Sequence, residues 1–202
     1  MHKATTQTAK VLELARKSGI LRVRDLTSRG IHPELLRRLV SRGLLTRISR
    51  GTYIAADADI SAEFSLAQTA KRVPRGVICL LSALRFHNIG TQSPPDVWVA
   101  IPRSAAYPRV QNLMLRVLRF SGAAYSAGAE THKLNGVPVR ITNPAKTVAD
   151  CFKYRNKIGL DVAVEALREC LRSRLATPGE ISQYARVNRV FNVMRPYLEA
   201  MI

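Results

Sequence analysis

The stretch GILRVRDLTSRGIHPELLRRLVSRGLLTRISRGTYIAAD, running from Gly19 to Asp57, decides how the first part of the chain folds. Val23 to Arg29 reads as a brief helix ending at Gly30, where a left-handed turn carries the least steric cost. The next helix opens on Pro33, whose missing N–H does no harm in a first turn, and runs to Arg42 before Gly43. Within it Leu35, Leu36, Leu39 and Val40 form one stripe, and Glu34, Arg37, Arg38, Ser41 and Arg42 form the other. The period then changes. Leu44 to Ile48, a Ser49-Arg50-Gly51 turn and Thr52 to Ile54 predict a β-hairpin.

Upstream, Thr5 to Ser18 reads as an amphipathic helix with Val11, Leu12 and Ala15 on one face and Gly19 as its stop. Ile20 and Leu21 are a short apolar link. Three short helices with a tight glycine turn between the last two, followed by a hairpin, make the order of a winged helix-turn-helix, assigned here to residues 1–60. AADADISAE then reads as a linker into a second domain over residues 61–202, a mixed α/β domain with a small sheet and C-terminal helices, so the whole chain is α+β.

In that second part Glu63 to Arg72 and Ser82 to His87 read as helices. Strands are expected at Val77 to Leu81, Val97 to Pro102, Leu115 to Phe120 and Val137 to Ile141. Asn143-Pro144 supplies a cap and first position for a helix reaching about Tyr154. Leu160 to Arg174 is strongly periodic, with Leu160, Val164, Leu167 and Leu171 inward and Glu165–Arg168 and Glu169–Arg172 as supporting pairs. Thr177-Pro-Gly-Glu180 is a capping box, and the helix it opens is expected to kink or break near Pro196.

Charge is the outlier in the composition. Thirty-two Lys and Arg against 14 Asp and Glu give a net +18, spread along the whole chain. Such an excess favours a polyanionic partner, because cations laid along phosphates release condensed counterions. Cys79, Cys151 and Cys170 are odd in number and share no CxxC spacing, which suits buried thiols in a reducing cytosol. The N-terminus lacks a secretory signal, and the most apolar run, Val77 to Leu84, is too short for a bilayer. A cytoplasmic protein without membrane contact is expected.

The second helix of a helix-turn-helix pair lies in the major groove. Arg37 and Arg38 are the candidates for bidentate bonds to guanine, His32 lies on the same face, and Ser41 and Arg42 are better placed for phosphate. Arg47, Ser49, Arg50 and Thr52 at or beside the hairpin tip are placed to reach an adjacent minor groove or to grip phosphate, and Arg22 and Arg24 at the start of the second helix lie near the DNA backbone. Enzymatic readings are weaker. His2, His32, His87 and His132 have no metal-ligand spacing, and neither a P-loop nor GxSxG occurs, so neither metal nor cofactor is expected. Asp57-Ala-Asp59 resembles a magnesium-binding acid pair but reads as linker, and Asp96 lacks a following Glu-x-Lys. His87 and Trp98 read as structural.

The Gly19–Asp57 stretch, with CLLSALRFHNIG (79–90), PPDVWVAIPR (94–103) and NPAKTVADCFKYRNKIGLD (143–161), resembles the AbiEi-type antitoxins of type IV abortive-infection toxin–antitoxin pairs. The resemblance covers nearly the whole chain, and the 143–161 block is its most telling part. It implies a transcriptional autorepressor that binds operator inverted repeats in double-stranded DNA. It also implies a C-terminal domain required for antitoxicity, and a nucleotidyltransferase toxin as functional partner without a stable complex. Lys146, Lys153, Arg155 and Lys157 lie in the matching block and are the antitoxicity candidates, against a reading as solvated helix charge. The competing function is binding of structured RNA such as tRNA without operator specificity, motivated by the basic second domain.

Overall fold

The computed structural model describes residues 2–18, 21–56, 62–108, 110 and 113–201. Asp57 and Asp59, and most of the expected linker, lie outside them. The chain is mixed α/β with two separate sheets. It divides into two compact units, one of residues 1–72 with 109–113 and 133–138, the other of residues 73–108, 114–132 and 139–202.

The first unit runs α1 (His2–Ser18), β1 (Leu21–Arg22), α2 (Val23–Thr27), α3 (Glu34–Ser41), β2 (Leu45–Ser49), β3 (Thr52–Ala55) and α4 (Ala62–Arg72). Its core gathers Val11 and Ala15 of α1, Leu26 of α2, Leu35, Leu36 and Leu39 of α3, and Leu21, Leu45 and Tyr53 of the sheet. Gly30 and Gly43 both take φ of +66°, so each glycine stop turns the chain left-handed after its helix. Pro33 precedes α3 as its cap residue rather than opening its first turn.

Two features depart from the sequence expectation. The link at Leu21 is a strand: β1 pairs antiparallel with β3, Leu21 opposite Tyr53 and Arg22 opposite Thr52, giving a three-stranded sheet in the order β1-β3-β2. A two-residue strand leaves no alternation to read in the sequence. Ser49 belongs to β2 and pairs with Thr52, with a register irregularity after Arg47, so the turn itself is Arg50-Gly51. Gly51 supplies the positive φ of 73° that this tight connection requires.

From Val77 the chain runs β4 (Val77–Ile78), α5 (Leu80–Phe86), β5 (Val97–Pro102), β6 (Leu115–Phe120), α6 (Ala123–Ser126), β7 (Ala129–Leu134), β8 (Val137–Thr142), α7 (Pro144–Lys153), α8 (Arg155–Ile158), α9 (Leu160–Arg172), α10 (Pro178–Val187) and α11 (Phe191–Glu199). The strands form one five-stranded sheet in the order β6-β5-β4-β8-β7. β5 runs parallel to β6 and antiparallel to β4, and β4 runs parallel to β8. α7 is the central helix, buried from Ala145 to Phe152 and packed on α5, α9 and α10. Asn143 caps it, its side chain accepting from the Lys146 N–H at 2.9 Å. Thr177 and Glu180 close the expected capping box of α10. The three cysteines are free and buried in the second unit.

The apolar run after Val77 is strand for only two residues and then helix, since a continuous apolar stretch carries no period to separate the two. β7, with the polar sequence AETHKL, has no apolar alternation to announce it; as an edge strand it exposes Glu130, Thr131 and Lys133 and buries only Leu134. The inward stripe of α9 is Val162, Ala163, Ala166, Leu167 and Cys170, whereas Leu160 is 41 % exposed. Leu167 is inward as expected and Val164 and Leu171 pack half-buried against the core, while the small residues of the stripe let α9 lie close against α7. Glu169 pairs with Arg172 at 2.7 Å as expected, but Glu165 accepts from the Thr91 N–H and hydroxyl. The C-terminal break falls at Asn188–Val190 and Pro196 sits inside α11. Arg189 takes a φ of 57°, and the Asn188 amide is committed to Asp150, so α10 ends there.

Candidate nucleic-acid interface

α3 is amphipathic because its leucines recur at helical spacing, and burial of Leu35, Leu36 and Leu39 turns the intervening cations outward. Arg37, Arg38, Ser41 and Arg42 are all exposed, as is His32 just before the helix. Arg37 is 81 % exposed and pairs loosely with Glu34 at 3.6 Å, an interaction of small energy between solvated groups. The His32 ring accepts from the Glu34 N–H through Nδ1 at 3.2 Å, so it caps the helix start. Ser41 donates its hydroxyl to the Arg38 carbonyl at 3.0 Å.

The hairpin presents Arg47 and Arg50 as exposed residues, while the Ser49 side chain lies outside the described set. Thr52 is not on the surface. It is 4 % exposed, and its Oγ1 accepts from Arg72 Nη2 at 3.3 Å. The turn is tied to α2 by the Val23 N–H donating to the Gly51 carbonyl at 3.2 Å. Asp25 accepts the Arg22 N–H at 2.8 Å, which fixes the start of α2.

Beside this hairpin the structure gathers four cations around one carboxylate. Burial lowers the Arg22 pKa, and Arg24 and Arg72 lower it further against the opposing pull of Asp25. Burial likewise lowers Lys71, with Asp25 raising it and Arg22 and Arg24 lowering it. Lys71 and Arg72 close α4, and sequence reasoning missed them, since nothing local to residues 62–72 shows that this helix end folds back beside Arg22.

The candidates in the 143–161 block are not brought together. Lys146 is fully buried and ion-paired to Asp150 one turn along α7, its ammonium also 5.1 Å from the centre of the Phe120 ring. This corrects any reading of Lys146 as solvated charge. Burial raises the Asp150 carboxyl, opposed by Lys146 and by an Asn188 bond of 2.8 Å. Lys153 is exposed, Arg155 donates to the Phe152 carbonyl at 3.0 Å, and Lys157 lies over the Tyr154 ring at 5.7 Å. His87 and Trp98 are partly buried, His87 bonding the Thr142 carbonyl at 2.7 Å through Nε2. Among the described residues no group of His, Cys, Asp and Glu is arranged to hold a metal ion, and no helix is long and apolar enough to cross a membrane.

Residues 9–56 match the family of AbiEi antitoxin transcriptional regulators. No curated protein matches the chain. Among solved structures, the RV2827C protein from Mycobacterium tuberculosis superimposes with a TM-score of 0.61 at 16 % identity, over 89 % of this chain and 71 % of that one. At that identity the likeness is one of fold.

Proposed function

We propose that the chain is a non-enzymatic transcriptional autorepressor and type IV antitoxin whose first sixty residues form a winged helix-turn-helix on operator DNA. The observation that carries this reading is the exposed cationic face of α3, Arg37, Arg38 and Arg42, on a helix whose opposite face is the core of its unit. In the major groove Arg37 and Arg38 read guanine edges, while Arg42, Arg47 and Arg50 neutralise phosphate. Arg22, Arg24, Lys71 and Arg72 continue the cationic track, and a phosphate laid there relieves their mutual repulsion. His32 and Ser41 stand at the two ends of α3 as further contacts. Ser49 adds its backbone at the hairpin tip, and Thr52 acts beneath the surface by holding Arg72.

The second unit would supply antitoxicity toward a nucleotidyltransferase toxin encoded beside it, in a cytoplasmic setting. The test is titration of the full chain with its own upstream duplex, a scrambled duplex and tRNA at one salt concentration. Preference for the upstream duplex supports the repressor. Equal affinity for scrambled DNA removes it, and preference for tRNA transfers the function to structured RNA.

A further inference from the structure

The second unit contains a cleft of about 470 Å³ between the end of β6, α7 and the α10–α11 turn. Arg119, Lys153 and Arg189 line it, all three exposed, and Asp150 and Asn188 form part of its inner wall. Arg119 is anchored by its Nη1 donating to the carbonyls of Arg103 at 2.5 Å and Ala105 at 2.9 Å, which holds its guanidinium in place. Asp150 is 1 % exposed. Its Oδ1 takes both the Lys146 ammonium and the Asn188 amide, whereas its Oδ2 is buried and has no hydrogen-bond partner among the described residues. An unpartnered buried carboxylate oxygen on a residue that lines a cleft calls for a donor. The mouth around it is cationic and calls for an anion.

These demands are met by different parts of one ligand. A bare phosphate satisfies the mouth but is repelled by the inner carboxylate, and a neutral polyol satisfies the carboxylate but not the mouth. We propose that this cleft binds a ribose phosphate, its phosphate held by Arg119, Lys153 and Arg189 and a hydroxyl donating to Asp150 Oδ2. The volume is within the range of small-molecule sites. The same chemistry is offered by a free nucleotide and by the 5′-phosphorylated end of a nucleic acid strand. The site is independent of the α3 surface and of the operator reading.

The test is calorimetric titration of the full chain with ribose 5-phosphate, AMP, ribose, inorganic phosphate, and a short oligonucleotide with and without a 5′-phosphate. Ribose 5-phosphate or AMP is expected to saturate one site and to bind at least about tenfold more tightly than ribose or inorganic phosphate, the worth of one charge-assisted hydrogen bond. Binding by the 5′-phosphorylated oligonucleotide alone assigns the site to strand ends and still supports it. The double variant Lys153→Ala, Arg189→Ala alters only exposed side chains, so it keeps the fold and weakens binding about tenfold per cation removed. Asp150→Asn brings ribose 5-phosphate down to the level of inorganic phosphate. The proposal fails if no phosphorylated probe saturates at millimolar concentration, or if the double variant binds like the parent. Duplex binding through α3 is unchanged in that variant, which keeps the two readings separable.

Discussion

Lys146 and Asp150 stand one turn apart on α7 and form an ion pair whose side chains are 0 % and 1 % exposed. Helical spacing brings them together, but the burial comes from β6, α10 and the Asn188 turn closing over that face. Desolvation of both charges costs several kcal/mol each, roughly offset by their attraction and by the bonds to Asn188. The pair is therefore a constraint on how the second unit closes rather than a net source of stability.

Removing one partner exposes that balance. Lys146→Met leaves a buried carboxylate with one amide donor and is expected to destabilise the second unit by about 3–5 kcal/mol. Lys146→Met combined with Asp150→Asn keeps the Asn188 bond without charge and recovers most of the loss. Urea unfolding of the singles and the double checks this, and additive losses would show that the two residues are uncoupled.

His87 gives the second unit a pH dependence. Burial lowers its pKa below the ordinary 6.5, while the Thr142 carbonyl, accepting from Nε2, pulls it upward and His132 downward. The unfolded chain then binds more protons than the folded one as pH falls through 6.5, so His87 contributes stability above that value that is lost below it. His87→Gln retains a donor toward Thr142 and is expected to flatten the stability curve between about pH 7.5 and 5.5. Thermal melts of both proteins across that range provide the comparison, and parallel curves would contradict it.

On DNA, Arg38→Ala is expected to cost about 1–3 kcal/mol at one base position and to relax preference there. Arg50→Ala weakens all duplexes about equally. Selection from a randomised duplex pool distinguishes them, and identical preferences for Arg38→Ala and the parent would remove Arg38 from base reading.

The end of α4 offers a separate check. Lys71→Ala with Arg72→Ala should reduce the salt slope of duplex binding by about 1–2, roughly 0.9 for each phosphate no longer neutralised. A slope equal to the parent's places both residues off the DNA.

Gly30 isolates a backbone effect. An added Cβ meets nothing within 4 Å, yet φ is +66°, so Gly30→Ala should cost the first unit about 1 kcal/mol through conformation alone. Gly30→Asn should cost less. A denaturant series on the three proteins settles the order, and a neutral alanine would indicate that the turn relaxes without penalty.

Local chemistry made much of this protein readable in one dimension. Glycines at 30, 43 and 51, the Asn143-Pro144 cap, the Thr177–Glu180 box and the leucine stripe of α3 each act over a few residues, so their patterns determine turns, caps and the exposed arginine face. What the chain order could not show depends on neighbours supplied from elsewhere in the sequence. β1 exists because β3 pairs with it, and the face of α9 turned inward is the one with small residues that admit α7. Thr52 is buried and accepts a hydrogen bond from Arg72, twenty residues away, and Lys146 becomes a buried ion rather than a solvated one because distant segments exclude water from it. Burial is a property of packing, and only the assembled tertiary structure decides which charges keep their water.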